Sequence, residues 1–229
     1  MTRRRVSNPL ALAVLCCLAE RPMHPYEISS TLRSRGKEKS IRLNYGSLYA
    51  VVESLQRHDL IRPRETTREG RRPERTVYEI TEAGRTECED WLAELLSTPV
   101  RDFTSLEAGL SLMPLLPPDE VARLLEERAD RLRAELRAVE ASMSVAADLG
   151  LPELFVIESR FRQAILDAEL DFAVRLAGDI RKGDLSGTAV WRRIHELAED
   201  GISFEQIVGD PVKYLGEEGR ALQPTPPAG

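Results

Sequence analysis

The chain has 229 residues, of which 31% are charged and only 5% aromatic, and it carries a net charge of −6. That length allows one large domain or two small ones, each with a core of its own, and the composition favours a helical fold over a β-sandwich. The apolar run Leu10 to Ala19 is too short to span a bilayer and lacks a small-residue cleavage site, so a cytoplasmic protein without membrane contact is expected.

The charge is unevenly spread. Residues 1–85 hold 17 Lys and Arg against 10 Asp and Glu, whereas residues 86–229 hold 15 against 28, so the first part suits a polyanionic partner and the second does not. Cys16 and Cys17 sit in an apolar run and Cys88 lies far from them; their spacing is not that of a metal site, and they read as small buried hydrophobes.

In chain order, PLALAVLCCLAE (9–20) reads as a helix with Leu12, Leu15, Cys16 and Ala19 along one side. In the next segment His24 takes the N-cap and Pro25 the first helical position, opening a helix over about 25–35 that turns Ile28 and Leu32 inward. A basic loop, RGKEKS, leads to a third helix over about 44–58, with Asn44 as N-cap and Leu48, Val51, Val52 and Leu55 as its apolar stripe. The periodicity then alternates: LIRPRETT and RTVYEIT read as strands joined by the turn REGRRPE, after which Thr81 caps a further helix containing Trp91 and Leu95. Three helices followed by a two-stranded ribbon make a winged helix-turn-helix over residues 1–98.

Past Pro99 the composition shifts, and a Pro-rich connection, MPLLPPDE, leads into residues 119–148, where Ala122, Leu125, Ala129, Leu132, Leu136, Val139, Met143 and Ala146 recur at steps of three and four. A second helix carries a stripe through Leu154, Phe161, Ile165, Ala168, Phe172 and Leu176, and the pair is expected to form an antiparallel hairpin over residues 99–180. So wide an apolar surface would stay partly exposed in a monomer, which predicts a dimer with Leu125, Leu132, Leu136, Val139, Met143, Phe161, Ile165 and Phe172 at its interface. Residues 181–229 read as two short amphipathic helices around Trp191, Ile194, Leu197 and Phe204, ending in a disordered Pro-rich tail. The fold class is therefore mainly α with a small β-ribbon.

The third helix raises a question of chemistry, because Tyr45, Gly46 and Tyr49 project away from its apolar stripe. A winged helix-turn-helix places this helix in the major groove, where a tyrosine ring packs on a thymine methyl or a sugar and its hydroxyl donates to a phosphate. Asn44 and Ser47 stand at the same end and offer further polar contacts, although packing against a neighbouring element is the alternative for either ring. Arg68, Arg71 and Arg72 in the turn, with Arg64 and Arg75 just inside the ribbon, make an arginine-tipped wing suited to the negative potential of a narrow minor groove.

Residues 10–92 resemble the N-terminal domain of the PadR family of bacterial transcriptional regulators. The resemblance rests on LALAVLCCLAERPMHPYEI, YGSLYAVVESLQRHDLI, GRRPERTVYEIT and TEAGR occurring in this order. The family's Gly-Tyr-Glu-Ile signature stands here as Pro25, Tyr26, Glu27 and Ile28, and its usual Gly before the strand as Asp59. The resemblance implies a homodimer binding a palindromic double-stranded DNA operator, usually as a repressor, with the C-terminal helices as dimer interface. It also implies, for members with a long C-terminal region, a small effector such as a phenolic acid or a hydrophobic drug. Phe155, Phe161, Phe172 and Trp91 are apolar material for such a pocket, though core packing is the commoner use.

An enzyme is not expected. HELAE at 195–199 lacks the second His of a zinc-protease helix, the three histidines are scattered, and neither a Gly-rich phosphate loop nor a nucleophile elbow occurs, so no catalytic residue, metal or cofactor is assigned. The alternative is a winged helix that serves as a protein-interaction scaffold; it would present apolar residues where this chain clusters positive charge.

Overall fold

The computed structural model describes residues 8–41, 45–67 and 75–222, and the chain divides into two compact units, Met1–Arg101 and Asp102–Gly229. The first is built around helix α1 (Pro9–Glu20), whose start is capped by Asn8 Oδ1 accepting from the Leu10 N–H at 3.0 Å. The expected single stripe is corrected here. Leu10, Ala11, Leu12, Ala13, Val14, Leu15, Cys17 and Leu18 are all buried, whereas Cys16 and Ala19 are only partly so. A helix apolar on every side is a central one, and α1 packs on α2 (Pro25–Ser34), α3 (Tyr45–Arg57), β2 (Arg75–Ile80) and α4 (Glu82–Ser97).

Each of these elements has a local cause. At α2 the His24 Nδ1 accepts from the Tyr26 N–H at 3.1 Å while Glu27 Oε2 accepts from the His24 N–H at 2.9 Å, a reciprocal cap ahead of Pro25. Helix α3 buries Leu48, Val51, Val52 and Leu55, as its spacing requires. The turn that follows it passes through Asp59, which adopts the left-handed conformation with φ 57°, the position where the PadR pattern has Gly. Strand β1 (Ile61–Thr67) then pairs antiparallel with β2 from Ile61↔Ile80 to Thr67↔Arg75, with a bulge between Pro63 and Glu65. Tyr78, opposite Pro63, turns its N–H and carbonyl the other way and exchanges two 3.0 Å bonds with Met23. Thr81 Oγ1 accepts from the Gly84 N–H at 3.0 Å and donates to the Asp59 carbonyl at 2.7 Å, locking α4 to the foot of the ribbon. The Cys16 and Cys88 sulfurs meet at 3.5 Å between α1 and α4, and burial pushes both thiols up, Cys88 to about 12, as suits inert small hydrophobes.

The second unit opens with α5 (Ser105–Leu112), a helix capped by Thr104 in a stretch to which the sequence pattern assigns no element. A hairpin of α6 (Pro118–Asp148) and α7 (Ile157–Lys182) follows. Its antiparallel sense is marked by ion pairs of Arg128 with Glu169, Glu135 with Arg162 and Glu126 with Arg181. The stripe of α7 that meets α6 is Leu166, Ala173, Ala177 and Ile180; of the expected stripe Leu176 packs against this core, whereas Phe161, Ile165 and Phe172 stay exposed. Helix α7 carries two apolar stripes, and the alanine-rich one allows the closer approach of the helices. Beyond it come α8 (Thr188–Glu199), α9 (Phe204–Gly209) and α10 (Pro211–Leu215). Trp191 of α8 enters the core formed by Val121, Ala122, Leu125, Ala173, Ala177 and Ile180, and its indole N–H donates to the carbonyls of Pro114 and Leu116 at 3.2 and 2.9 Å. The segment after residue 181 thus shares a core with the hairpin. The Pro-rich tail from residue 223 lies outside the described residues. No helix among the described residues is long and apolar enough to cross a membrane.

Candidate nucleic-acid interface

The face of α3 that its own packing leaves outward carries Gly46, Ser47, Tyr49, Ala50 and Glu53, all exposed, with Tyr49 at 49%. This follows directly from the helical period: Leu48, Val51, Val52 and Leu55 are pulled to the α1 side, which turns the remaining positions to solvent. Tyr45 is the first residue of the helix, and its side chain, like the whole of Asn44, lies outside the described residues. Of the two tyrosines singled out from sequence, the structure therefore places Tyr49 on the open face.

At the ribbon, Arg68, Arg71 and Arg72 fall outside the described residues, and Arg75 is placed only as the partner of Thr67 in β2. Arg64 is exposed, with its Nε 3.8 Å from Glu79 Oε2, while Arg62 holds Glu79 Oε1 at 2.7 Å. One carboxylate is thus shared by two guanidiniums. The hydroxyl of Tyr78 is held above its usual range, first by burial and then by the charges of Glu53 and Tyr49, which puts the open face of α3 within electrostatic reach of β2.

Three residues lie outside the sequence-based expectation: Tyr26, at the start of α2, is 61% exposed; Arg62 shares Glu79 with Arg64 on β1; and Glu53 sits two turns beyond Gly46 on the outward face of α3. The alternation of strand and helix was a sufficient signal for the last two. Arg35, by contrast, is a basic residue taken out of play, because both of its terminal nitrogens bind Glu20, at 2.5 and 2.8 Å.

In the second unit the residues expected at a dimer interface separate into two sets. Leu125, Leu132 and Leu136 are buried within the hairpin, and Val139 and Met143 are half-buried, so that seam is filled by the chain's own α7. Phe161, Ile165 and Phe172 are exposed at 70%, 52% and 42% and form a second stripe along α7. Phe155 is exposed as well, so of the four aromatics expected to pack in a core only Trp91 does. Beside α8 a cleft of about 1170 Å³ is lined by Met113, Pro114, Leu115, Trp191, Ile194 and Phe204. At this cleft the His195 Nε2–H tautomer donates to the Pro114 carbonyl at 3.0 Å. Among the described residues no cluster of His, Cys, Asp and Glu could hold a metal ion.

Known proteins sharpen the picture. Residues 14–90 match the model of the transcriptional regulator PadR-like family. No curated protein matches the chain. Among solved structures, Bacillus subtilis PadR in complex with operator DNA superimposes with a TM-score of 0.62 at 17% identity, over 76% of this chain and 99% of that one. The same protein in complex with p-coumaric acid gives 0.57 at 14% identity over 77% and 99%, and the Vibrio cholerae virulence activator AphA gives 0.55 at 16% over 76% and 98%. At these identities the superpositions speak for the fold, and the family match speaks for the domain. Over residues 14–90 this winged helix-turn-helix is a domain of the PadR-like family of transcriptional regulators.

Proposed function

We propose that the protein is a DNA-binding transcriptional regulator, a homodimeric repressor that leaves a palindromic operator when a small apolar or phenolic molecule binds. The observation that carries this reading is the outward face of α3, where Ser47 and Tyr49 stand clear of a stripe buried against α1. In this reading Asn44, Tyr45, Ser47 and Tyr49 enter the major groove, and Arg64, Arg68, Arg71, Arg72 and Arg75 follow the backbone and the minor groove. The neighbour crystallised on operator DNA supports the partner, and the neighbour crystallised with p-coumaric acid supports the class of effector.

Two recognition helices must lie about 34 Å apart to enter successive major grooves. The exposed stripe Phe161, Ile165 and Phe172 is the surface that brings a second copy to that spacing, with the leucine seam of α6 holding the stripe rigid from behind. The cleft beside α8 has room for a molecule of drug size. A ligand there lowers operator affinity only by as much as it prefers the released state.

The test is a gel shift against the DNA upstream of the gene, with competitor DNA and at two salt concentrations. Saturable retention of that fragment alone, weakening steeply with salt, is the expected outcome. Replacing Tyr49 with Ala should lower operator affinity about ten-fold while leaving the melting temperature unchanged. Retention of neither this fragment nor a random genomic pool would favour a protein-contact scaffold. A promoter reporter that falls rather than rises on deletion of the gene would make the protein an activator.

A further inference from the structure

The outward face of α3 holds one residue that a helix entering a groove of negative potential should avoid. Glu53 is exposed, and among the described residues it makes no ion pair. Its charge is felt by the Tyr78 hydroxyl on β2, which places it beside the ribbon rather than on a remote flank. Gly46, Tyr49, Ala50 and Glu53 stand at i, i+3, i+4 and i+7, the spacing by which helices lying in a major groove bring side chains to base edges. The buried residues Leu48, Val51, Val52 and Leu55 occupy the opposite side, so Glu53 points where Gly46 and Tyr49 point, 7 residues or about 10 Å beyond Gly46 along the helix.

A carboxylate in that position repels every phosphate in reach and accepts a hydrogen bond from nothing on the backbone. What it can accept from is an exocyclic amine on a base edge, and in the major groove the cytosine N4 amine is the donor that pairs with Glu. Gly46 and Ala50 have little or no side chain, so they let the helix lie close enough for a third-turn residue to reach the edges. We infer that Glu53 is a specificity-determining residue, reading one cytosine in each operator half-site and penalising duplexes that lack it. The inference rests on the DNA-binding function proposed above and adds a role to it: Tyr49 and the arginines supply affinity, whereas Glu53 spends some of it to reject other sequences.

Selection of full-length wild type and Glu53→Ala from a pool of random duplexes tests it, followed by titration of each protein against the selected motif and against random DNA. The expected result is a two-fold repeated motif for the wild type with one fixed C·G pair per half-site. The variant should return the same motif with that position degenerate. Changing that base pair should weaken the wild type on the order of ten-fold and leave the variant unmoved. Random DNA should bind the variant more tightly than the wild type, because a repelled charge is gone. An identical motif with every position equally sharp in both proteins overturns the inference, as does a variant that binds all sequences more tightly by one common factor, which would make Glu53 a repelling charge and not a reader. If the wild type selects no motif, the DNA-binding reading falls first and takes this role with it. Glu53→Gln, whose amide keeps the size and the exposed helical position, guards against a folding artefact: it should bind random DNA as the Ala variant does and, because the amide both donates and accepts, move the preference at that position from cytosine toward adenine.

Discussion

The two units use apolar residues in opposite ways. In the first, α1 is enclosed on every side, and the large apolar residues left outside among those described are confined to Tyr26, Tyr49 and the end of α4 onward. In the second, α6 and α7 bury narrow layers such as Leu132, Leu136 and Leu166, while Phe155, Phe161, Ile165 and Phe172 stay outside. The difference teaches which surface is finished. A closed core presents its exposed tyrosines as exceptions that need a use, whereas an open hairpin presents a stripe that needs a cover.

The comparison can be broken most directly in the cores. Leu15 is fully buried at the centre of the first unit, so Leu15→Ala should cost about 4 kcal/mol, whereas Leu132→Ala, in a thin layer that can relax, should cost about 2. Denaturant unfolding of both variants measures this; equal costs would mean that the hairpin core is as closed as the first. The next effect concerns assembly. Replacing Phe161 and Phe172 together with Glu should leave helix content unchanged and weaken self-association about a hundred-fold, from roughly 3 kcal/mol lost at an apolar contact. Sedimentation in which the variant and the wild type associate alike would move the proposed interface elsewhere. The smallest effect lies within the closed unit. Asp59 holds φ 57° at the corner between α3 and β1, so Asp59→Gly should raise stability by about 0.5 kcal/mol, the relief of strain partly offset by a freer unfolded chain. A lower melting temperature would show that the Asp side chain has a compensating contact.

Much of the first unit was legible because its signals are local. The His24–Pro25 start of α2, the Thr81 cap and the outward placement of Tyr49 depend only on residues within a turn or two, and each stands as sequence reading expects. The two strands were legible too, from their alternation and the Gly- and Pro-rich turn between them. Other features were not. The bridge from Met23 to Tyr78 joins residues with no shared pattern, and the sharing of Glu79 by Arg62 and Arg64 depends on strand register. Helix α5 is brief, about two turns long, too short for an apolar period to mark it in the sequence.

That a winged helix-turn-helix precedes a long helical hairpin can be read from the residues alone, because apolar period, caps and turn residues are local. The burial of α1 all round, the choice between the two stripes of α7 and the closing of the hairpin core by Trp191 from beyond residue 181 emerge from the folded chain. The physical reason is common to all three. A helix period says which residues share a side, but burial is a property of what stands opposite, and that is settled by contacts between segments far apart in the chain.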